Sequence, residues 1–278
     1  MPSFATNPDD GVQVAFDVAG EGEPLMLVHG SALSKAIWRG LGYLKVLAEN
    51  YRVTTVDLRG HGRSGKPHES QAYRMDLVAG DLLAVLAETG TDSTHYLGYS
   101  LGARVGFSLA AEQPQRMRSF ISLAGTYRIR PGTIGRLFFP DWERALRADG
   151  MAGFIAGWED QMGKAVDPHT RAAFLANDPL AMLAYMRLNE QESGVSEAGV
   201  AAIQVPTLLL AGSEDRPRLA DSRRAAELMP TAELVVLPGR DHGSTLYPPA
   251  EVLAAVVPFL ARHAHAPATQ ARGGSAAT

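Results

Sequence analysis

The chain's 278 residues are 46% hydrophobic and 20% charged with a formal net charge of −4, the profile of a globular protein with ample chain for a large buried core. That slightly acidic balance leaves no electrostatic footprint for nucleic acid or an anionic membrane surface. The absence of cysteine excludes a disulfide scaffold, thiolate-ligated zinc, iron–sulfur clusters and a cysteine nucleophile.

The first eleven residues hold Pro2, Pro8, Asp9 and Asp10 and no apolar stretch, so no signal peptide is read and a cytoplasmic location is the default. The longest apolar runs, such as 207–211, fall far short of a membrane span. Residues 12–18 alternate as a strand should, and 25–28 form a short buried strand ending at His29-Gly30. A helix is predicted over 35–48, with Leu41, Leu44 and Ala48 on one face, followed by a strand over 52–58. Residues 77–89 read as a helix whose face carries Val78, Leu82, Val85 and Thr89. Then come a strand over 95–98, a nearly all-apolar helix over 101–112 that stops before Pro114, and a strand over 118–123.

After Gly125 the alternation stops. From Tyr127 to Gln204 only helical patterns appear, interrupted at Pro131, Pro140, Pro168 and Pro179. The strand–helix alternation resumes with a strand over 205–211, a helix over 219–229, a strand over 233–237 and a last helix over 249–262 that Pro258 should kink. The tail from Ala264, rich in Ala, Gly and Thr, is expected to be disordered. Strands alternating with helices predict an α/β protein with a mainly parallel sheet and helices on both faces. Its organisation is a core over 1–126 and 205–263, a helical cap over 127–204, and a tail over 264–278.

The strongest chemical signal is Gly98-Tyr99-Ser100-Leu101-Gly102, placed where a strand turns into a helix. A sharp turn there exposes the serine hydroxyl, and the flanking glycines leave room for the backbone to close on itself. A serine hydroxyl is a weak nucleophile and needs a base oriented by an acid. In sites of this type acid and base follow the nucleophile in the order Ser, Asp/Glu, His, on loops after later strands. Asp215, in Gly212-Ser-Glu-Asp, and His242, in Gly239-Arg-Asp-His, meet both conditions. Glu214 and Asp241 beside them are assigned to the surface. His68, His95 and His169 lie in no motif and are read as surface or packed residues. His263 and His265 are read as a solvated helix end, and no metal-ligand spacing appears. The loop His29-Gly30-Ser31-Ala32 is in place to supply one oxyanion-hole amide, Ser31, with Leu101 supplying the second.

Together with Asp57-Leu-Arg-Gly-His-Gly-Arg-Ser64, these pieces resemble the α/β-hydrolase family over about residues 11–263, and in particular its capped bacterial serine hydrolases: esterases, enol-lactonases, cofactor-free haloperoxidases and carbon–carbon bond hydrolases. The resemblance implies a mostly parallel eight-stranded sheet and a cofactor-free enzyme, a monomer or homodimer. It also implies cleavage of a small to medium apolar ester or lactone. Carbon–carbon bond hydrolysis of ring-cleavage products and perhydrolase or haloperoxidase chemistry use the same three residues, and a ligand receptor retaining the fold is a further alternative. Ser100 departs from the aspartate nucleophile of dehalogenase-like and epoxide-hydrolase-like relatives, and Ala103 stands where many relatives have a second glycine.

Gly60-His-Gly-Arg-Ser-Gly65 also matches a dinucleotide-binding pattern, but Lys66-Pro-His follows instead of an apolar helix start. It is therefore read as a tight loop in which Asp57 and Arg59 hold structure. Within the cap, Phe138, Trp142 and Trp158 are candidate substrate contacts, as is Tyr99 beside the nucleophile. Arg128, Arg130 and Arg136 are read chiefly as a solvated face, with a carboxylate-bearing substrate as the alternative.

Overall fold

The computed structural model describes residues 3–264. Residue Ala264 is exposed; the rest of the tail expected to be disordered, His265 included, lies outside the described residues. Eight strands, β1 (Ser3–Thr6), β2 (Gln13–Ala19), β3 (Glu23–Val28), β4 (Tyr51–Val56), β5 (Thr94–Tyr99), β6 (Met117–Leu123), β7 (Thr207–Gly212) and β8 (Ala232–Leu237), form one sheet in the order β1-β2-β4-β3-β5-β6-β7-β8. From β4 onward in that order all pairings are parallel, while β1 and β2 run antiparallel at one edge.

Strand β1 has no counterpart among the elements that the sequence pattern predicts. It has four residues, only Ala5 of them buried, and is held by its ladder to β2, from Ser3 opposite Phe16 to Thr6 opposite Gln13. Backbone pairing of this kind leaves no hydrophobic pattern to read.

The period-2 geometry of the central strands sends alternate residues to opposite faces. Met26 and Val28 of β3 pack with Tyr96, Phe120 and Leu209 on one side. Leu25 and Leu27 pack with Leu97, Ile121 and Leu210 on the other. The first face is covered by α3 (Met75–Glu88), α4 (Leu101–Glu112) and α10 (Arg216–Leu228). The second is covered by α1 (Ala36–Gly40), α2 (Tyr43–Leu47) and α11 (Pro249–His263), the last continuing through Pro258. The single helix predicted over 35–48 is thus two short ones. Gly42 sits at φ 88°, a left-handed conformation that ends one helical segment and starts the next at a different angle. Trp38 from the first and Tyr43, Leu44 and Leu47 from the second still reach the same apolar cluster.

Residues 127–204 lie between β6 and β7 and contain α5 (Thr133–Leu137), α6 (Trp142–Met162), α7 (Pro168–Leu175), α8 (Pro179–Asn189) and α9 (Glu197–Ala201). Pro168 and Pro179, read from sequence as interruptions, are the first residues of α7 and α8. Proline suits that position because its missing N–H would be unpaired anyway. Asp167 and Asp178 cap these helices, each carboxylate accepting two backbone N–H bonds. No helix among the described residues is long and apolar enough to cross a membrane.

The glycine-rich loop after β4 is a structural staple. Asp57 accepts hydrogen bonds from the backbone N–H and the ammonium of Lys35 at 2.7 and 2.9 Å and from Arg63 N–H at 3.1 Å. The Arg59 guanidinium, 1% exposed, grips Asp81 of α3 with Nε and Nη2 at 2.7 and 2.6 Å and reaches Asp10 at 2.7 Å. Asn7 Nδ2 completes the cluster by donating to Asp81 at 2.8 Å. Removing one partner of such a buried pair strands the other charge away from water. Arg59→Leu is expected to lower unfolding free energy by about 3–5 kcal/mol in a urea titration, whereas a loss below about 1 kcal/mol would show the cluster to be dispensable.

Candidate active site

Because β3, β5, β7 and β8 are parallel, their carboxyl ends share one edge of the sheet, the edge where open α/β sheets bind ligands. Ser31, Ser100, Asp215 and His242 all follow those ends. Ser100 stands between β5 and α4 at φ 51°, ψ −107°, a conformation costing about 1–3 kcal/mol for a residue with a side chain. The turn is tight enough that a Cβ on Gly98 would lie 2.4 Å from the backbone of Gly102, and one on Gly102 would lie 2.3 Å from the Val28 carbonyl oxygen. The contacting atoms are backbone, so neither glycine can be replaced without moving a strand or a helix.

The loops after β7 and β8 are knitted together by Ser213 N–H to Leu237 O and Glu214 N–H to Arg240 O, both 2.9 Å. This brings two residues 27 positions apart into contact: His242 Nδ1 lies 2.6 Å from Asp215 Oδ2, and His242 Nε2 lies 2.9 Å from Ser100 Oγ. A carboxylate only accepts, so Nδ1 carries the proton and Nε2 is left as the acceptor for the serine hydroxyl. The rival carboxylates are elsewhere: Glu214 meets Ser213 Oγ at 3.2 Å on the surface, and Asp241 closes a turn with Ser244, accepting from its N–H at 2.8 Å. Of the other histidines, His68 pairs with Asp178 at the surface and His95 is buried against Ser119 and Glu23.

Tyr99 is buried, with its ring centroid 5.5 Å from that of His242 and its hydroxyl donating to the His242 carbonyl at 2.9 Å. Burial raises its pKa, so the phenol remains a donor. These contacts place its ring beside the His242 imidazole and tie its hydroxyl to the histidine's backbone.

On the other side of the serine, His29 Nδ1–H donates to the Gly30 carbonyl at 2.7 Å, while Nε2 accepts the Leu58 N–H at 3.1 Å. Burial lowers the His29 pKa, consistent with this neutral tautomer. Gly30 C=O and Ser31 N–H belong to one planar peptide unit, so His29 also fixes the direction of the Ser31 amide. The Leu101 amide, first in α4, has no intrahelical acceptor.

Phe138, buried, packs edge-on against Phe154 and Trp158 at 5.0 Å, and Trp158 stacks on Phe174 at 5.2 Å. Trp142 is buried in the same apolar cluster, which continues to Leu101 beside the nucleophile. Arg128 pairs with Asp221 at 2.9 Å and lies 3.7 Å from Glu197, and Arg136 donates to the Pro131 carbonyl at 2.8 Å. Two residues that sequence patterns did not single out for the site, Asn177 and Tyr185, reach its edge from the insert: Asn177 Nδ2 donates to the Ala32 carbonyl at 2.8 Å, and Tyr185 OH shares a 2.7 Å hydrogen bond with Ser31 Oγ. Among the described residues there is no group of three or more His, Asp or Glu side chains arranged to hold a metal ion.

Comparison with known proteins agrees with the fold. A Bacillus subtilis (strain 168) protein, provisionally named a 2-succinyl-6-hydroxy-2,4-cyclohexadiene-1-carboxylate synthase, is 25% identical over 84% of this chain and 89% of its own length. A pimeloyl-[acyl-carrier protein] methyl ester esterase of Aeromonas hydrophila is 36% identical, over 41% of this chain and 42% of that protein. Among solved structures, an enzyme described as degrading N-acyl homoserine lactones superimposes with a TM-score of 0.74 at 26% identity, covering 92% of this chain and all of that one. The family model described as alpha/beta hydrolase fold matches residues 23–246, most of the chain, which therefore belongs to the alpha/beta hydrolase fold family.

Proposed function

We propose that the protein is a serine hydrolase that cleaves a small to medium, apolar carboxylic ester or lactone through an acyl-enzyme on Ser100. The observation that carries this reading is the continuous chain from Ser100 Oγ to His242 Nε2 at 2.9 Å and from His242 Nδ1 to Asp215 Oδ2 at 2.6 Å. His242 takes the Ser100 proton as Oγ attacks the carbonyl carbon. The resulting tetrahedral oxyanion is bound by the Ser31 and Leu101 amides, whose direction is set before substrate arrives. His242 then gives its proton to the leaving alkoxide, which departs as the alcohol or, from a lactone, stays tethered to the acyl group. A water molecule deprotonated by His242 attacks the acyl-enzyme, and collapse of the second tetrahedral intermediate returns the proton to Ser100 and releases the acid. Asp215 keeps the imidazole in the required tautomer and balances its charge when protonated. No cofactor enters any step.

The insert serves as a cap. Its aromatic residues Phe138, Trp142 and Trp158 give it an apolar interior, which supports an apolar acyl or alcohol group over a charged one. The esterase and lactone-degrading relatives support the same class of bond. A fluorophosphonate probe is expected to label the protein once, on the peptide containing Ser100, and a panel of nitrophenyl esters, an enol lactone and a dienone should show turnover chiefly on the ester and lactone members. Labelling elsewhere, or turnover confined to the dienone, would reject this assignment.

A further inference from the structure

We propose that Asn177 and Tyr185, both on the insert, are positioning residues that hold the oxyanion loop in its reactive shape, an inference that rests on the acyl-enzyme reading above. The loop carries stored strain: Ala32 lies at φ 57°, is fully buried, and is not a glycine. A residue with a Cβ is disfavoured there and relaxes unless its neighbours hold it.

The core fixes the start of the loop through His29 Nδ1–H on the Gly30 carbonyl at 2.7 Å and Gly102 N–H on the His29 carbonyl at 3.1 Å, and its end through Asp57 on the Lys35 N–H at 2.7 Å. Between them Leu33 N–H donates to the Gly30 carbonyl at 3.3 Å and closes a turn over Ser31 and Ala32. The two groups that this turn presents outward, the Ser31 hydroxyl and the Ala32 carbonyl, are met by the insert. Asn177 donates to the Ala32 carbonyl at 2.8 Å, and the same amide is anchored at the end of α7 by the Ala173 and Phe174 carbonyls at 2.9 and 3.2 Å. Tyr185, on α8, shares its 2.7 Å hydrogen bond with the Ser31 hydroxyl. Its buried ring is wedged against His61 and Tyr73 of the core, with centroids 5.6 and 6.0 Å away. Burial holds the His61 pKa down at about 3, so this neighbour stays neutral across the working pH range and the contact carries no titrating charge. Each insert residue is therefore fixed by its own surroundings and passes that rigidity to the residue bearing one oxyanion donor or to the strained one next to it. The consequence is that a docked insert completes the oxyanion hole as well as covering the substrate.

Oxyanion donors act on the tetrahedral species and little on the bound ester, so positioning residues alter kcat and leave KM in place. The test measures hydrolysis of p-nitrophenyl butyrate and inhibition by an aryl trifluoromethyl ketone, which Ser100 converts to a tetrahedral oxyanion. For Tyr185→Phe, kcat is expected to fall about tenfold with KM within about twofold, and affinity for the ketone to weaken by the same factor as kcat. Asn177→Leu should move the same quantities in the same direction; should it fail to fold, Tyr185→Phe, which keeps the ring and its packing, carries the test alone. A raised KM with unchanged kcat would make Tyr185 a substrate contact, and a lowered Tm with unchanged kcat would make it packing only; either result overturns the positioning role. Ser100→Ala is measured alongside: near-normal hydrolysis there overturns the acyl-enzyme reading itself, whereas lost hydrolysis there with unaltered Tyr185→Phe kinetics overturns only the positioning role.

Discussion

Ser100→Ala is expected to lower kcat for ester hydrolysis by about 10⁴-fold or more while the protein folds normally. In the proposed mechanism the serine is the attacking group, and His242 Nε2 lies 2.9 Å from its Oγ while the Tyr99 hydroxyl donates to the His242 carbonyl. Any remaining rate would come from the oxyanion amides and bound water, which the substitution leaves in place. Alanine in place of serine keeps a Cβ at the same left-handed position, so the strain of the turn is unchanged and thermal unfolding should be close to wild type. The result is read from steady-state rates together with loss of fluorophosphonate labelling; a rate within about tenfold of wild type would sink the mechanism.

Asp215→Asn is expected to cost about 10⁴-fold in kcat, with KM nearly constant. An amide can present its NH₂ to Nδ1, which forces the imidazole proton onto Nε2, where it opposes the Ser100 hydroxyl instead of accepting from it. The same substitution one residue earlier, Glu214→Gln, should leave the rate near wild type, because that carboxylate meets only Ser213 at the surface. Equal losses from both variants would reveal a general effect of charge on this loop and remove Asp215 from its proposed role.

Candidate site residues whose placement depends on nearby backbone geometry are legible in the chain. The turn around Ser100 is formed by five consecutive residues, and the closeness of Gly98 to the Gly102 backbone is why position 98 must be glycine, while Gly102 is held to glycine by the Val28 carbonyl of the neighbouring strand. Asp215 and His242 were readable for a related reason, since short loops leaving parallel strands end on one edge of the sheet. The decoy at 60–65 could also be rejected locally, from the absence of a helix behind it. By contrast, β1 is held by backbone pairing to β2, and the break at Gly42 is a glycine in an otherwise helical pattern, so neither left a hydrophobic signal.

Asn177 and Tyr185 show the other limit. Neither lies in a motif, yet they meet residues 145 and 154 positions away. Arg128 shows it too: the chain alone allowed a cation free for an anionic substrate, and packing placed it against Asp221.

The strand–helix alternation of this cysteine-free, near-neutral chain determines the α/β architecture. Its serine turn, with an acid and a base after later strands, points to Ser100, Asp215 and His242 as the candidate site, three side chains that the fold brings within hydrogen-bond distance. The architecture and the choice of candidates follow from local backbone sterics and strand periodicity, which act over a few residues. The tertiary structure alone decided which insert residues reach the oxyanion loop, which arginines are already paired, and where a strained Ala32 is held. Those outcomes depend on how distant helices dock, and docking is set by the summed burial and hydrogen bonding of the whole molecule.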